Sequence, residues 1–199
     1  MSETKAGLIT AAEVVTFLFA AFNSHLTGIA PPASRIGAMR ADFAIGVASF
    51  AALLVFMLVK AAATTASIQR HKRIWFVVAL VLTLGYVGFA LSYSRSFNAY
   101  TFVYAPTDSA RTTVVIGDEY TAYGQKLGEN YKRAHGVWPI PAELLSSEGN
   151  EPARITLLYT TDSIVSVHNR LIYLYIGMVV VLATAIASLL ELYRPRPEA

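Results

Sequence analysis

The acidic and histidine side chains of this chain are those that could serve acid–base catalysis or metal binding. Asp118 and Glu119 are adjacent and could form a carboxylate pair, with His135 and His168 elsewhere in the same polar segment. Adjacent residues on a helix point about 100° apart, so these two carboxylates would not face each other. Neither histidine has a nearby Ser–Asp or Cys arrangement typical of a catalytic triad. We therefore interpret the acids as helix-start residues and the histidines as surface or interface residues, and we predict no catalytic residue.

Cysteine chemistry and the common catalytic motifs are both missing from the sequence. The chain has no cysteine, which excludes disulfides, thiolate nucleophiles and cysteine-ligated metal sites. It also contains no HExxH, P-loop, GxGxxG or GxSxG pattern, the signatures of zinc proteases, nucleotide-binding loops and serine hydrolases. The sequence thus predicts no metal and no cofactor, and it favours a protein that is not an enzyme.

Glu13 is an acidic residue within the apolar stretch 7–29. Acids inside a membrane are costly and often mark ion or proton paths. Glu13 lies close to the start of this stretch, within ~9 Å of the membrane edge at helical rise. It could therefore also reach the interface or bond to a neighbouring helix. Both interpretations stay open, and Glu13 is the intramembrane polar candidate.

The hydrophobic residues of the chain gather in blocks. Hydrophobic residues make up 55% of the sequence and charged residues 15%, against about 25% charged in ordinary soluble domains. About 20 apolar residues in a helix cross the ~30 Å hydrocarbon layer of a bilayer. Four blocks approach that length, at residues 7–29, 42–59, 74–93 and 171–190. We predict an integral membrane α-helical protein with four transmembrane helices, of which the first is the weakest because it contains Glu13.

The distribution of Lys and Arg predicts the orientation, since cytoplasmic loops carry an excess of both. With four spans and both termini in the cytoplasm, the outer loop between the first two spans holds only Arg35 and Arg40. The inner segments then hold Lys5, Lys60, Arg70, Lys72, Arg73, Arg194 and Arg196. This predicts a multi-pass protein of the inner (plasma) membrane with the polar segment 94–169 outside. The same placement of that segment holds if the first span fails to cross.

Small residues recur on one face of each of the last three predicted spans. Such faces let helix backbones approach closely where no hydrophobic force drives helices together. The residues expected to pack are Ala44, Ala48 and Ala52, then Gly85 and Gly88, then Ala183 and Ala187. Association of this kind between copies makes a homo-oligomer the expected state in the lipid bilayer.

Residues 94–169 are predicted to form a small extracytoplasmic α+β domain inserted between the third and fourth spans. Runs of β-branched and aromatic residues favour strands, and the turn residues around Pro106 favour a hairpin between the first two. The expected elements are strands at 98–104 and 112–116, a helix at 119–135, a helical turn at 142–145 and a strand at 153–159. The final helix is expected to be capped by Thr161, Asp162 or Ser163 and to run unbroken into the last span.

Aromatic and basic residues supply the candidate contact surfaces. Tyr and Trp are enriched at protein interfaces, and the external partner surface is predicted to include Tyr120, Tyr123, Tyr131 and Trp138. On the inner side, each basic residue attracts anionic lipid by ~1 kcal/mol. A cytoplasmic protein partner would bind the same inner surface. The residues expected there are Arg70, Lys72, Arg73, Arg194 and Arg196.

These features favour a non-enzymatic, oligomeric inner-membrane subunit that couples an extracytoplasmic cue to a cytoplasmic partner protein. The alternative is a channel- or pore-forming effector, for example of a bacterial defence or cell-death system. Only size and the four-span arrangement suggest it, so it is an analogy at the level of the fold. The net charge of +3 requires no nucleic-acid partner, because positive charge collects at cytoplasmic membrane edges.

The predicted orientation can be tested with a reporter enzyme or a protease site placed within residues 94–169. We expect it to be reachable only from the extracytoplasmic side of the membrane, because the basic cluster at 70–73 holds the opposite end of the third span in the cytoplasm. The measurement is reporter activity or protease cleavage in intact and lysed cells. A site reachable only from the cytosol would overturn the orientation.

Overall fold

The computed structural model describes residues 41–62, 65–107, 110–147 and 154–193, and these are mostly helical. The elements in chain order are α1 (Ala41–Ala62), α2 (Thr65–Tyr100), β1 (Thr101–Thr107), β2 (Ala110–Val115), α3 (Ala122–His135), α4 (Pro141–Ser147), α5 (Ile155–Leu158) and α6 (Thr161–Tyr193). The predicted first span, 7–29, lies outside the described residues.

Three of these helices are long and apolar enough to cross a membrane. The apolar segments are Asp42–Val59 in α1, His71–Tyr100 in α2 and Thr161–Leu192 in α6. Each contains an 18-residue window of high mean hydropathy, 2.3, 2.3 and 2.2 respectively. They contain the predicted second, third and fourth spans. These three helices indicate a membrane-embedded protein, and the four-span arrangement stays a prediction.

Helix α2 is interrupted at His71, where the backbone leaves helical geometry (φ −127°, ψ 30°). The uninterrupted apolar part of α2 begins directly after this residue. Lys72 and Arg73 lie in its first turn, and both side chains are exposed. The basic residues therefore mark the polar end of the membrane-crossing helix.

The chain divides into two compact units, and α2 and α6 contribute residues to both. The membrane unit contains the described residues of Asp42–Ser92 and those from Leu174 onward. The α+β unit contains Ala41 and the described residues of Tyr93–Tyr173.

The membrane unit leaves α2 largely exposed. Half of the apolar window of α6 is buried inside the protein, against 6% of that of α2. The Phe89 ring of α2 covers Gly177 of α6, where an added Cβ would lie 2.7 Å from the ring. Val181 lies 3.6 Å from the Cβ position of Gly85. Elsewhere α2 presents apolar side chains outward, as helices that face lipid do.

The core of the α+β unit is built from residues of every element between β2 and α6. Its buried members are Ile116, Leu144, Leu145, Ile155, Leu158, Tyr159 and Ile164. Partly buried side chains surround them: Tyr100, Phe102, Val114, Tyr120 and Leu127. The short helices α4 and α5 are stabilised by this shared core, because helices of one or two turns are not stable alone.

The predicted hairpin is confirmed, with its first strand starting later than expected. Strands β1 and β2 pair antiparallel, with Thr101 opposite Val115. Residues 98–100 belong to α2 instead of β1, and the Thr101 hydroxyl donates to the Phe97 carbonyl at 2.7 Å in the last turn of that helix. The Ile116 amide donates to the Tyr100 carbonyl at 2.9 Å, which joins the hairpin to the end of α2.

The prediction of a strand at 153–159 is wrong, since Ile155–Leu158 form helix α5. Ile155, Leu158 and Tyr159 are all buried, and their i, i+3, i+4 spacing is that of one helical face. This packing outweighs the local preference of β-branched residues for strands. Among the described residues of that stretch, strand geometry is found only at Tyr159, which forms a single antiparallel bridge with Tyr120.

Helix α3 begins three residues later than predicted and ends as predicted. Its N-cap is Thr121, whose hydroxyl accepts from the Gly124 amide at 3.0 Å. The two preceding residues are held by the bridge instead of the helix, since the Thr160 amide donates to the Glu119 carbonyl at 3.0 Å. Gly136 ends α3 in the left-handed region (φ 78°), which glycine adopts without strain.

Helix α6 runs from Thr161 to Tyr193 without a break, which confirms the predicted continuity. The predicted cap at 161–163 is off by one residue. The Thr160 hydroxyl accepts from the Ser163 amide at 3.4 Å, the pattern of an N-cap. Thr160 therefore takes part in the bridge and also begins α6.

The contact between α3 and α5 can be tested by Gly124→Ala. An added Cβ would lie 2.9 Å from the Leu158 carbonyl carbon, which is backbone and cannot move aside easily. Overpacking of this kind costs about 1–3 kcal/mol, against a gain of about 1 kcal/mol in helix propensity. We expect a net loss in the free energy of unfolding, measured with denaturant on detergent-solubilised protein. Gln125→Ala at the exposed neighbouring position is the control, and equal stabilities would contradict the close approach.

Candidate functional site

The α+β unit contains a cluster that we call the Arg170 clamp, made of Arg170, Tyr100 and Asp118. The Arg170 guanidinium carbon lies 4.6 Å from the centre of the Tyr100 ring. One guanidinium nitrogen lies 3.9 Å from an Asp118 carboxylate oxygen. Both charged side chains are partly exposed, so solvent screens the ion pair to about 0–1 kcal/mol. The clamp joins the last residue of α2, the loop after β2 and α6.

The loop at 117–119 lies directly on the first turn of α6. Gly117 has no room for a side chain, since an added Cβ would lie 3.1 Å from the Tyr159 Cβ and closer still to the Ser163 hydroxyl. The Ser163 hydroxyl lies 3.3 Å from the Glu119 carbonyl, which accepts a hydrogen bond from it. Asp118 and Glu119 thus contact α6, and neither belongs to the start of α3 as predicted.

Three rings form what we call the aromatic stack, which leads from the core to the surface. Tyr159 is buried and stacks on Tyr120 with centroids 4.9 Å apart. Tyr120 is half-buried, and its centroid lies 5.8 Å from that of Trp138. The Trp138 indole nitrogen donates to the Tyr120 hydroxyl at 3.4 Å. The Trp138 ring covers Gly128, where an added Cβ would lie 2.7 Å from the ring.

The predicted external partner surface is therefore divided. The structure brings Tyr120 and Trp138 into contact, with Trp138 the more exposed of the two. Tyr131 instead stacks on His135, with ring centroids 4.1 Å apart. Tyr123 is exposed on α3. Among the described residues, we therefore take the exposed outer end of the aromatic stack, at Trp138, as the candidate contact surface.

Two tyrosines of this unit have raised pKa values for different reasons. A hydrogen bond to the Glu143 carboxylate raises the pKa of Tyr131. The same carboxylate accepts from the Ile140 amide at 2.9 Å at the start of α4, so it links α3 to α4. Burial raises the pKa of Tyr159, and the neighbouring Tyr120 phenol adds to the shift. The Tyr159 hydroxyl has no hydrogen-bond partner among the residues that the structure describes.

The small residues of the membrane unit are mostly buried. Ala44, Ala48 and Ala52 have no exposed surface. Ala183 and Ala187 of α6 are also buried. Gly85 faces Val181, as described above, whereas no described atom lies within 4 Å of the Cβ position of Gly88. Gly88 therefore lies on the open side of α2.

The charged candidates lie partly outside the described residues. Lys72 and Arg73 are exposed on α2, and Arg70 belongs to the same helix. Glu13, Arg194 and Arg196 all lie outside the described residues. Among the described residues, no group of three or more His, Cys, Asp or Glu side chains could hold a metal ion.

Several polar residues have roles that the sequence did not suggest. His168 is fully buried, so the interpretation of it as a surface residue is wrong. Its helical spacing from the buried Ile164, Leu171 and Tyr175 is the signal that could have revealed this. Glu191 is also buried, in the last turn of α6.

Comparison with protein-family models, with curated proteins and with solved structures finds no match for this chain. The function must therefore be inferred from the contacts described above.

The raised pKa values predict a loss of stability at high pH. The phenols are held neutral in the folded state, so their contribution is complete below about pH 10, the pKa of a free tyrosine. It is lost as the pH rises from there through the higher folded-state values. We expect the free energy of unfolding of detergent-solubilised protein to fall above about pH 10, and Tyr159→Phe to flatten that fall.

At neutral pH the same Tyr159→Phe variant should keep its stability within about 1 kcal/mol, because the removed hydroxyl has no partner among the described residues. Tyr131→Phe is the comparison, since that ring is more exposed and its hydroxyl is bonded to Glu143. A Tyr159→Phe variant with an unchanged alkaline profile would show that the buried phenol does not control it.

Proposed function

We propose that this protein is a non-enzymatic, oligomeric inner-membrane subunit that couples an extracytoplasmic cue to a cytoplasmic partner protein. The observation that carries the proposal is helix α6. Its first turn contacts the loop at 117–119, and its third turn carries Arg170 of the clamp. Its part from Leu174 onward supplies apolar residues of the membrane unit. One helix thus takes part in the contacts of both units.

The proposed topology has four spans and both termini in the cytoplasm, with the α+β unit outside. The exposed Lys72 and Arg73 at the polar end of the α2 apolar segment support this orientation. Basic residues at such an end favour the cytoplasmic side.

A chain of contacts offers a route by which a cue could reach α6. Trp138 contacts Tyr120, and Tyr120 both stacks on and pairs with Tyr159. Tyr159 directly precedes Thr160, which caps α6. A ligand or protein that shifted Trp138 would disturb packing one residue before the cap. In this proposal the aromatic stack receives the cue, and α6 transmits it.

Oligomerisation in this proposal uses the open side of α2. This helix leaves most of its apolar window unburied, and Gly88 has open space before it. A glycine on an open helix face lets a second helix approach closely in a bilayer. The cytoplasmic partner would bind the exposed Lys72 and Arg73.

A single introduced cysteine can test the oligomer, since the chain has none of its own. We expect Gly88→Cys to form a disulfide-linked dimer under oxidation in native membranes, because the residue lies on the open side of α2. Val87→Cys is the matched control, also exposed and about 100° around the helix, and it should cross-link less. Equal and negligible cross-linking, together with a strictly monomeric protein in detergent, would contradict the proposal.

The partner can be sought by cross-linking native membranes of the same cells. The proposal predicts recovery of a cytoplasmic protein with the wild-type chain and its loss with Lys72→Gln/Arg73→Gln. Arg154→Gln, an exposed basic position in the α+β unit, should leave recovery unchanged. Dye leakage or membrane depolarisation on overexpression, with no partner recovered, would favour the pore-forming alternative instead.

A further inference from the structure

Residues 137–140, between α3 and α4, expose an unusual amount of apolar surface. Val137 is 63% exposed, Trp138 41% and Ile140 60%. The chain reaches this segment through Gly136, whose left-handed backbone ends α3. Single exposed apolar residues are ordinary on protein surfaces, but a concentrated patch usually marks an interaction site.

Basic side chains directly precede this apolar segment. Lys132, Arg133 and His135 form the last turn of α3, and all three are exposed. The Arg133 side chain is 77% exposed and lies 3.9 Å from Glu129 one turn earlier. The next acid along the chain, Glu143, is engaged with the Ile140 amide and Tyr131. The patch thus combines apolar side chains with an adjoining positive charge.

Trp138 has the arrangement of an interfacial aromatic residue. Its ring rests on Gly128, and its indole N–H donates to the Tyr120 hydroxyl. This fixes one side of the ring against the protein and leaves the rest exposed. Tryptophan is enriched at membrane–water interfaces, where the ring lies at the level of the lipid headgroups.

The helices that continue from the α+β unit favour a bilayer over a soluble partner as the binding partner of this patch. The α+β unit continues at both ends into helices long and apolar enough to cross a bilayer. A bilayer is therefore always close to it, at a high effective concentration that a soluble partner would not reach. Anionic headgroups also match the charge of the last turn of α3.

We propose that Val137, Trp138 and Ile140 insert into the headgroup layer of an anionic bilayer, with Lys132 and Arg133 bound to lipid phosphates. This membrane-interface patch needs only a membrane-embedded chain. It shares Trp138 with the proposed route of the cue, but the quenching experiment below does not depend on that route. The patch would hold the aromatic stack at the lipid surface.

The chain has two tryptophans, so Trp75→Phe leaves Trp138 as the only one. The full-length variant is reconstituted into vesicles of neutral and anionic phospholipid, with or without bromine on the acyl chains. Residues of interfacial segments lie about 5–10 Å into the headgroup–acyl boundary, so we expect shallow bromines to reduce Trp138 emission about twofold and deep bromines to reduce it less. The quenching should weaken when the anionic lipid is omitted.

Charge variants in the same background test the role of the basic turn. Lys132→Gln/Arg133→Gln should reduce the quenching, and Lys126→Gln/Arg154→Gln, which removes the same charge at other exposed positions, should not. Circular dichroism of each variant checks that the fold is retained. Equal quenching in all variants would overturn the role of Lys132 and Arg133.

The proposal as a whole is overturned if bromine does not quench Trp138. If the residue is then fully open to aqueous iodide, the patch is free or awaits a soluble partner. If it is instead protected from iodide only at high protein-to-lipid ratios, the occupant is a second copy of the chain.

Discussion

The start of α6 is fixed by a pair of backbone hydrogen bonds on which the rest of the α+β unit depends. The Thr121 amide donates to the Leu158 carbonyl at 2.9 Å, and the Thr160 amide donates to the Glu119 carbonyl at 3.0 Å. Together they close the bridge between Tyr120 and Tyr159. On one side of the bridge Thr121 caps α3, and on the other Thr160 caps α6. Each cap contributes about 1 kcal/mol, so this short bridge positions two helices at once.

Close packing around the bridge explains two of the glycines of this unit. Gly117 lies against Ser163 and Tyr159, and Gly124 lies against the Leu158 carbonyl. In isolation, glycine within a helix costs up to about 1 kcal/mol relative to alanine. At Gly124 this cost is offset, because a larger residue would push α3 away from α5 and open the core. Gly124 and Gly128 thus lower the intrinsic stability of the α3 helix, but they let it pack closely against α5 and Trp138.

The sequence was informative where local pattern and tertiary environment agree. Apolar blocks gave the helices that hold the last three predicted spans, because bilayer thickness leaves few other solutions for such blocks. At 153–159 the sequence pattern led to a wrong prediction, because β-branched residues favour a strand whereas the buried residues follow helical spacing. It also could not pair Arg170 with Tyr100 and Asp118, which are distant in sequence and meet only once the hairpin has folded back on α6. The sequence pattern identified the aromatic residues of the candidate surface, but it did not show which of their rings are in contact.

The size of the α+β unit makes the shared helices important for its stability. A unit of this size buries only about 60% of the surface of its unfolded chain and is marginally stable alone. Its first and last described helices, α2 and α6, are also long and apolar enough to cross a membrane. Because both ends of the unit continue into these long helices, fewer of its residues must be ordered by the contacts of its own core. A change in the packing of Tyr159 or Thr160 therefore acts at the point where the core of the unit joins α6.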